Sequence, residues 1–154
     1  MSKHEKRPEI LVRNAQRSVP VSLSRLQSFA RIALDFGWRH RRRKAEISSM
    51  SSVSVSIVSD RRMRQLHERF CGVRSPTDVL TFQHGEIVIS AQTAARQARE
   101  FRSTLEREIR LYLLHGLLHL CGYDDNNPRN RAIMQRVQRR LLKLAEKQER
   151  GRSV

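Results

Sequence analysis

Alternating apolar and polar positions predict four short strands in this chain. The clearest is residues 52–58, where serine alternates with β-branched residues and leaves one apolar face. Residues 9–14, 79–82 and 86–90 carry the other short apolar runs. Because the connection at residues 83–85 is short and ends in glycine, we expect the last two strands to form a hairpin.

Apolar residues at helical spacing predict two helices in the first half of the chain. The first covers about residues 23–36, and Gly37 is a natural stop for it. The second is short and is capped by Ser59 or Asp60. Its inward-facing residues are predicted to be Met63, Leu66 and Phe70.

Capping signals predict three further helices in the second half. Ser90 caps an alanine-rich helix that ends near Phe101. Residues 103–106 have the capping-box pattern S-x-x-E and open a helix that ends near Cys121. Leucines lie on several sides of that helix, so we expect it to be central and mostly buried. Asn127-Pro128 combines an N-cap with a first-turn proline and starts the last helix.

The order of these elements predicts the fold class. It is strand, helix, strand, helix, hairpin and three helices, which favours an α+β fold. We expect a small mixed sheet of about four strands packed with five or so helices. The 154 residues fit a single domain, 1–154, with polar tails at about residues 1–8 and 148–154.

A candidate metal motif lies at the end of the predicted central helix. His115 and His119 are four positions apart, so both imidazoles lie on one face of the helix. Gly122 ends the helix and lets the chain turn back, which would bring Asp125 to the same metal. The string H-x-x-x-H-x-x-G-x-x-D has zincin-like ligand spacing. Two imidazoles and a carboxylate predict one Zn²⁺ with a position open for catalysis, although Ni²⁺ would also bind.

Gly116 distinguishes this motif from that of a protease. Zincin proteases carry a glutamate directly after the first histidine and use it as the general base. Glycine at that position argues against a metalloprotease, the least favoured of three function classes. It also leaves the general base unassigned.

Charge indicates the partner. The net charge is +16, with 31 basic residues against 15 acidic ones. This excess predicts a polyanionic binding partner, and nucleic acid is the favoured one. A membrane surface is the weaker alternative. The densest basic cluster is a candidate RNA-binding segment made of Arg39, Arg41, Arg42, Arg43 and Lys44. The amino terminus lacks the apolar core of a secretory signal, and two cysteines give no disulfide framework, so a reducing cytoplasm is expected.

Three sequence blocks together resemble the YbeY family of metal-dependent, single-strand-specific endoribonucleases. They are His115-Gly-Leu-Leu-His119-Leu-Cys-Gly-Tyr-Asp124, Pro76-Thr-Asp-Val-Leu-Thr-Phe82 and Gly85-Glu-Ile-Val-Ile-Ser90. The resemblance covers roughly residues 50–140. It implies a zinc-bound α+β fold, ribosomal RNA as substrate, association with the small ribosomal subunit or its proteins, and the bacterial cytoplasm.

This chain departs from the family pattern at three positions. The third metal ligand is usually histidine and is Asp125 here, and a glutamate common in the last helix corresponds to Gln138. The family has a Tyr-Arg pair before the Pro-Thr-Asp block, and this chain has Phe70-Cys71 there. Cysteine cannot replace arginine as a bidentate phosphate ligand. Arg69 or Arg74 could contact phosphate instead.

The sequence therefore predicts a zinc-dependent endoribonuclease in which His115, His119 and Asp125 hold the metal. Through the resemblance, its role would be maturation of the 3′ end of 16S ribosomal RNA and ribosome quality control. Either water or a ribose 2′-hydroxyl could be the nucleophile. The alternative is a ribosome-associated, RNA-binding assembly factor that keeps a structural metal and has weak or no nuclease activity.

Overall fold

The structure is a computed structural model that describes residues 5–74 and 77–152. Pro76, the first residue of the Pro-Thr-Asp block, lies outside these residues, as do the extreme ends of the two polar tails.

All four predicted strands are present with the predicted bounds. They are β1 (Glu9–Asn14), β2 (Ser52–Val58), β3 (Val79–Phe82) and β4 (Glu86–Ser90). Their order in the sheet is β1-β2-β4-β3, with parallel pairing everywhere except between β3 and β4. The predicted hairpin is therefore confirmed, and β3 is an edge strand.

In the described ranges, five α-helices accompany the sheet, which confirms the α+β fold class. They are α1 (Leu23–Arg39), α2 (Asp60–Cys71), α3 (Ala91–Glu100), α4 (Leu105–Leu120) and α5 (Pro128–Arg152). A short 3-10 helix, Glu46–Ser49, lies between α1 and β2. The last helix continues through residues 148–152 of the polar tail. None of the helices in the described ranges is long and apolar enough to cross a membrane.

The two faces of the sheet are covered very unequally. Val53, Val55 and Ile57 point from β2 into the main core, where they are fully buried together with residues of α1, α4 and α5. On the opposite face, Val58 and Val88 meet Met63 of α2 in a much smaller cluster. The predicted central helix, α4, is buried over most of its length, as expected from its leucines.

Three local predictions were wrong. Gly37 does not end α1 but lies inside it, since the helix continues to Arg39. A Cβ at Gly37 would come within 3.3 Å of the Sγ of Cys121, the residue just after α4, so glycine favours this close approach. Phe70 does not face inward, since 56% of it is exposed. The cap of α4 is Thr104 rather than Ser103.

Candidate metal centre and cleft

His115 and His119 lie one turn apart near the end of α4 and point the same way. Their Nε2 atoms are 3.1 Å apart, and their rings meet edge to face. Each side chain is 29% exposed, so the imidazoles line an opening in the surface rather than the core. The surrounding leucines of α4 are buried, which fixes the helix that carries both ligands.

Hydrogen bonds to the other ring nitrogens fix the orientation of both imidazoles. Nδ1 of His115 donates to the Oε1 of Gln138 on α5 at 3.0 Å, and Nδ1 of His119 donates to the carbonyl of Tyr123 at 3.1 Å. With Nδ1 protonated, the Nε2 lone pairs of both rings face the same point. Two lone pairs at this distance repel each other, and a cation between them would remove that repulsion.

Asp125 completes a group of three potential ligands. Gly122, at φ 95°, ends α4 and turns the chain back, and a Cβ at that position would come within 3.0 Å of Arg42. The Asp125 carboxylate oxygens lie 3.6 Å from Nε2 of His115 and 3.8 Å from Nε2 of His119. The three ligand atoms lie within 4.8 Å of one another.

These separations are close to those of a tetrahedral metal site. Ligand atoms about 2.1 Å from a tetrahedral ion are roughly 3.4 Å from each other. The two Nε2 atoms are 3.1 Å apart, and the Asp125 distances involve different oxygens, Oδ2 at 3.6 Å from His115 and Oδ1 at 3.8 Å from His119. Burial and the neighbouring His115 lower the pKa of His119, although Asp125 and the Tyr123 carbonyl oppose this. A lowered pKa keeps the imidazole neutral near pH 7, as metal binding requires.

Gly116 faces the sheet rather than the metal centre. A Cβ at this position would lie 2.8 Å from Cγ2 of Ile87 and 3.0 Å from Oγ1 of Thr81. Glycine is therefore needed for α4 to approach β3 and β4, and a glutamate would not fit without displacing the helix. The protease-type general base is excluded by packing as well as by sequence.

A cleft of about 690 Å³ opens above the three ligands. The β3–β4 hairpin lines it with Thr81 of β3 and Gln83 of the connecting turn, and Tyr123 lines it as well. Among the residues the structure describes, four carboxylates line it (Glu46, Asp78, Asp124 and Asp125) against two cations, Arg43 and Lys44.

The predicted RNA-binding segment divides into two parts. Arg43 and Lys44 line the cleft, and the Arg42 guanidinium lies 4.6 Å from the centre of the Tyr123 ring, itself part of the cleft wall. Arg39 is paired with Asp35 and Arg41 with Glu5, both away from the cleft lining.

Two hydrogen bonds hold this segment against the turn that follows α4, residues 121–125. The N–H of Arg42 donates to the carbonyl of Cys121 at 2.8 Å, and the Tyr123 hydroxyl donates to the carbonyl of His40 at 2.8 Å. Lys44 has a left-handed backbone, with φ 63°, which non-glycine residues rarely adopt. The loop is thus held in a specific shape beside the metal ligands.

Arg69 and Arg74 do not line the cleft within the described residues. The Arg69 guanidinium lies 5.4 Å from the centre of the Phe70 ring, and Arg74 pairs with Glu68 at 3.2 Å. Cys71, at the position of the family's arginine, is exposed at the end of α2.

Two residues of the site were not assigned a role from the sequence. Gln138 orients His115, and Tyr123 supplies both a carbonyl for His119 and a ring for Arg42. Sequence spacing places Tyr123 next to the ligands, so that role could have been inferred. Gln138 lies on a different helix, and its contact depends on how α5 packs against α4.

Comparison with known proteins points to one family. A family model described as Endoribonuclease YbeY matches residues 11–146. Similar curated proteins named Endoribonuclease YbeY include those of Gloeobacter violaceus (40% identical over 64% of this chain and 60% of the relative), Myxococcus xanthus (34% over 90% and 51%) and Frankia alni (30% over 86% and 80%). The chain thus spans only about half to four-fifths of these relatives' lengths.

The fold also has a solved counterpart. The solution structure of TM1509 from Thermotoga maritima matches with a TM-score of 0.66 and 27% identity, covering 93% of each chain. The match extends over nearly the whole of this chain.

Proposed function

This chain belongs to the YbeY family, and we propose that it is a metal-dependent endoribonuclease that cuts single-stranded RNA. One observation carries the proposal: two oriented imidazoles and a carboxylate lie close together in a cleft that Arg43 and Lys44 also line. A divalent ion bound there, Zn²⁺ before Ni²⁺, would supply a Lewis acid for a phosphoryl oxygen and acidify water.

The charges of the cleft support metal dependence. Four carboxylates against two cations would repel a phosphodiester if nothing else were bound. A dication held by His115, His119 and Asp125 offsets two of those negative charges. The phosphate backbone could then approach, and Arg43 and Lys44 would hold it by charge-assisted hydrogen bonds.

The substrate in the cell is proposed to be ribosomal RNA. We propose maturation of the 3′ end of 16S RNA and ribosome quality control in the bacterial cytoplasm, with the small ribosomal subunit or its proteins as partner. The support is the family together with the net charge of +16, which favours a polyanion.

A second function is favoured by one observation. Cys71 stands where the family has an arginine, and neither Arg69 nor Arg74 lines the cleft among the described residues. With fewer cations at the reacting phosphate, the protein could be an RNA-binding assembly factor that keeps the metal for structure and cuts weakly or not at all.

Incubation with labelled single-stranded RNA separates the two functions. The nuclease should cut the RNA when loaded with zinc, stop when a chelator is added, and recover when zinc is returned. The His119→Ala variant, purified in the same way, should not cut. An assembly factor would bind the RNA in every case and leave it intact, and cutting that survives chelation would contradict metal dependence.

A further inference from the structure

Three neighbouring aromatic rings lie at the end of α2 and on the β3–β4 hairpin. Phe70 and Phe82 meet edge to face with their centres 5.1 Å apart, and His84 stacks on Phe82 at 5.7 Å. Phe70 is 56% exposed and the His84 side chain 70% exposed. Much of this aromatic surface is therefore open to solvent, which is unfavourable for a phenylalanine unless a partner covers it.

The helix beside these rings carries unpaired positive charge. Four exposed arginines of α2 form no ion pair with any residue the structure describes: Arg61, Arg62, Arg64 and Arg69. The two acidic residues of α2 are already engaged, Glu68 with Arg74 and Asp60 with Arg96. The surface thus combines flat aromatic rings, of which the His84 imidazole also contacts Glu86 at 3.1 Å, with a surplus of guanidinium groups.

This surface adjoins the metal cleft across the edge strand. Phe82 and Leu80 pack toward α2, whereas Thr81 lies against α4 at Gly116. Leu80 belongs to both regions, because it also lines the cleft together with Gln83 of the hairpin. β3 pairs only with β4 among the described strands, so a chain crossing its free edge would pass from the cleft to the rings.

We propose that Phe70, Phe82 and His84 form a stacking platform for unpaired bases of the RNA whose phosphodiester lies in the cleft. The inference rests on the proposed endoribonuclease function and adds a basis for single-strand specificity. Unpaired bases stack on aromatic rings while arginines neutralise the phosphates between them. Bases in a duplex are already stacked and cannot reach the rings. An acidic protein could pair with the arginines, but an array of flat rings fits nucleobases better than it fits carboxylates.

Phe70→Leu tests the platform, because leucine keeps apolar bulk against Phe82 but has no aromatic face. Binding of a labelled single-stranded RNA is measured on the full chain in chelator, so that no cleavage occurs and the cleft contributes least. Stacking is worth about 1–3 kcal/mol per base, so we expect roughly a 5- to 100-fold loss of affinity. Phe70→Tyr should restore binding, and binding to a duplex should be unchanged by either substitution.

Phe101→Leu is the matched control. Phe101 is 66% exposed at the end of α3 and has no ring neighbour among the described residues. Its replacement should leave RNA binding unchanged. A second probe is the same RNA with abasic positions. The wild type should bind this probe less tightly than the intact RNA, whereas Phe70→Leu should bind the two RNAs with equal affinity.

Two results would overturn the platform. One is unchanged single-strand binding by Phe70→Leu, which would leave a protein partner as the occupant of the rings. The other is an equal loss with Phe101→Leu or on duplex RNA, which would mean a general effect. Failure of the proposed function is a separate result, because the zinc-loaded wild type would then leave the single-stranded RNA uncut, whatever the Phe70 variants do to binding.

Discussion

Apolar packing covers the face of the sheet that carries the metal site, whereas hydrogen bonds around one partly buried carboxylate contribute much of the packing on the opposite face. On the metal side, α1, α4 and α5 bury a continuous core against β2 and β4. On the other side, Met63 meets only a small cluster, and Asp60 ties α2 to α3 through Ser90 and Thr93.

This difference matches the tasks proposed for the two faces. Metal ligands must be held within a fraction of an ångström, and a densely packed helix provides that. A surface that stacks bases of varied sequence needs only exposed rings and charges, which a thinly packed helix can present. The contrast predicts that substitutions on the metal face act through packing geometry, and those on the α2 face through charge or aromatic stacking.

The largest expected effect is the loss of metal from His119→Ala. This change removes one of three ligands and leaves His115 and Asp125 too few to hold a tetrahedral ion. The protein should be purified without the zinc that the wild type retains, as measured by elemental analysis. Retention of a full equivalent of zinc would contradict the assignment of the ligands.

Gly116→Ala should weaken the metal face itself. The added methyl group would lie 2.8 Å from Ile87 and force α4 away from the sheet. Overpacking of this kind costs about 1–3 kcal/mol of unfolding free energy, measured in urea. Gly151→Ala is the control, because nothing lies within 4 Å of a Cβ there, and it should be neutral or slightly stabilising. Unchanged stability of Gly116→Ala would mean that α4 does not approach the sheet this closely.

Gln138→Ala should lower metal affinity without removing a ligand. His115 would lose the acceptor for its Nδ1–H, so the ring could rotate and its Nε2 would no longer be held toward the metal. Loss of such a partner costs about 10- to 100-fold in affinity, measured by competition with a chelating dye.

Gln135→Ala provides the matched control, since Gln135 is exposed on the same helix and does not contact the site. It should bind metal like the wild type. Equal affinity of the Gln138 and Gln135 variants would show that α5 does not support the metal centre.

Local sequence determined the strands but not the contacts between helices. The alternation in residues 52–58 is read directly from side-chain spacing, and the ligand spacing from His115 to Asp125 follows from one helix and one turn. Gly37 was misassigned because it lies where α1 approaches Cys121, the residue just after α4, and that contact is not visible in local sequence. Phe70 was misassigned because helical periodicity does not show where a helix extends beyond the core against which it packs.

The smallest expected effect is on the α2 face, from Asp60→Asn. Burial opposes ionisation of Asp60, but hydrogen bonds from Arg96, Ser90 and Thr93 outweigh it and lower the pKa of this carboxyl. A lowered pKa in the folded state stabilises the fold above the ordinary carboxyl pKa, and that stability is lost as the pH falls through the folded value. We expect Asp60→Asn to lower the free energy of unfolding by about 1–2 kcal/mol near pH 7. This gap in unfolding free energy between the variant and the wild type should close in acid.

Urea unfolding at several pH values measures the gap, and Glu100→Gln, an exposed change on α3, should show none. A gap that stayed constant into acid would mean that α2 is held by packing after all, and the contrast between the two faces would disappear.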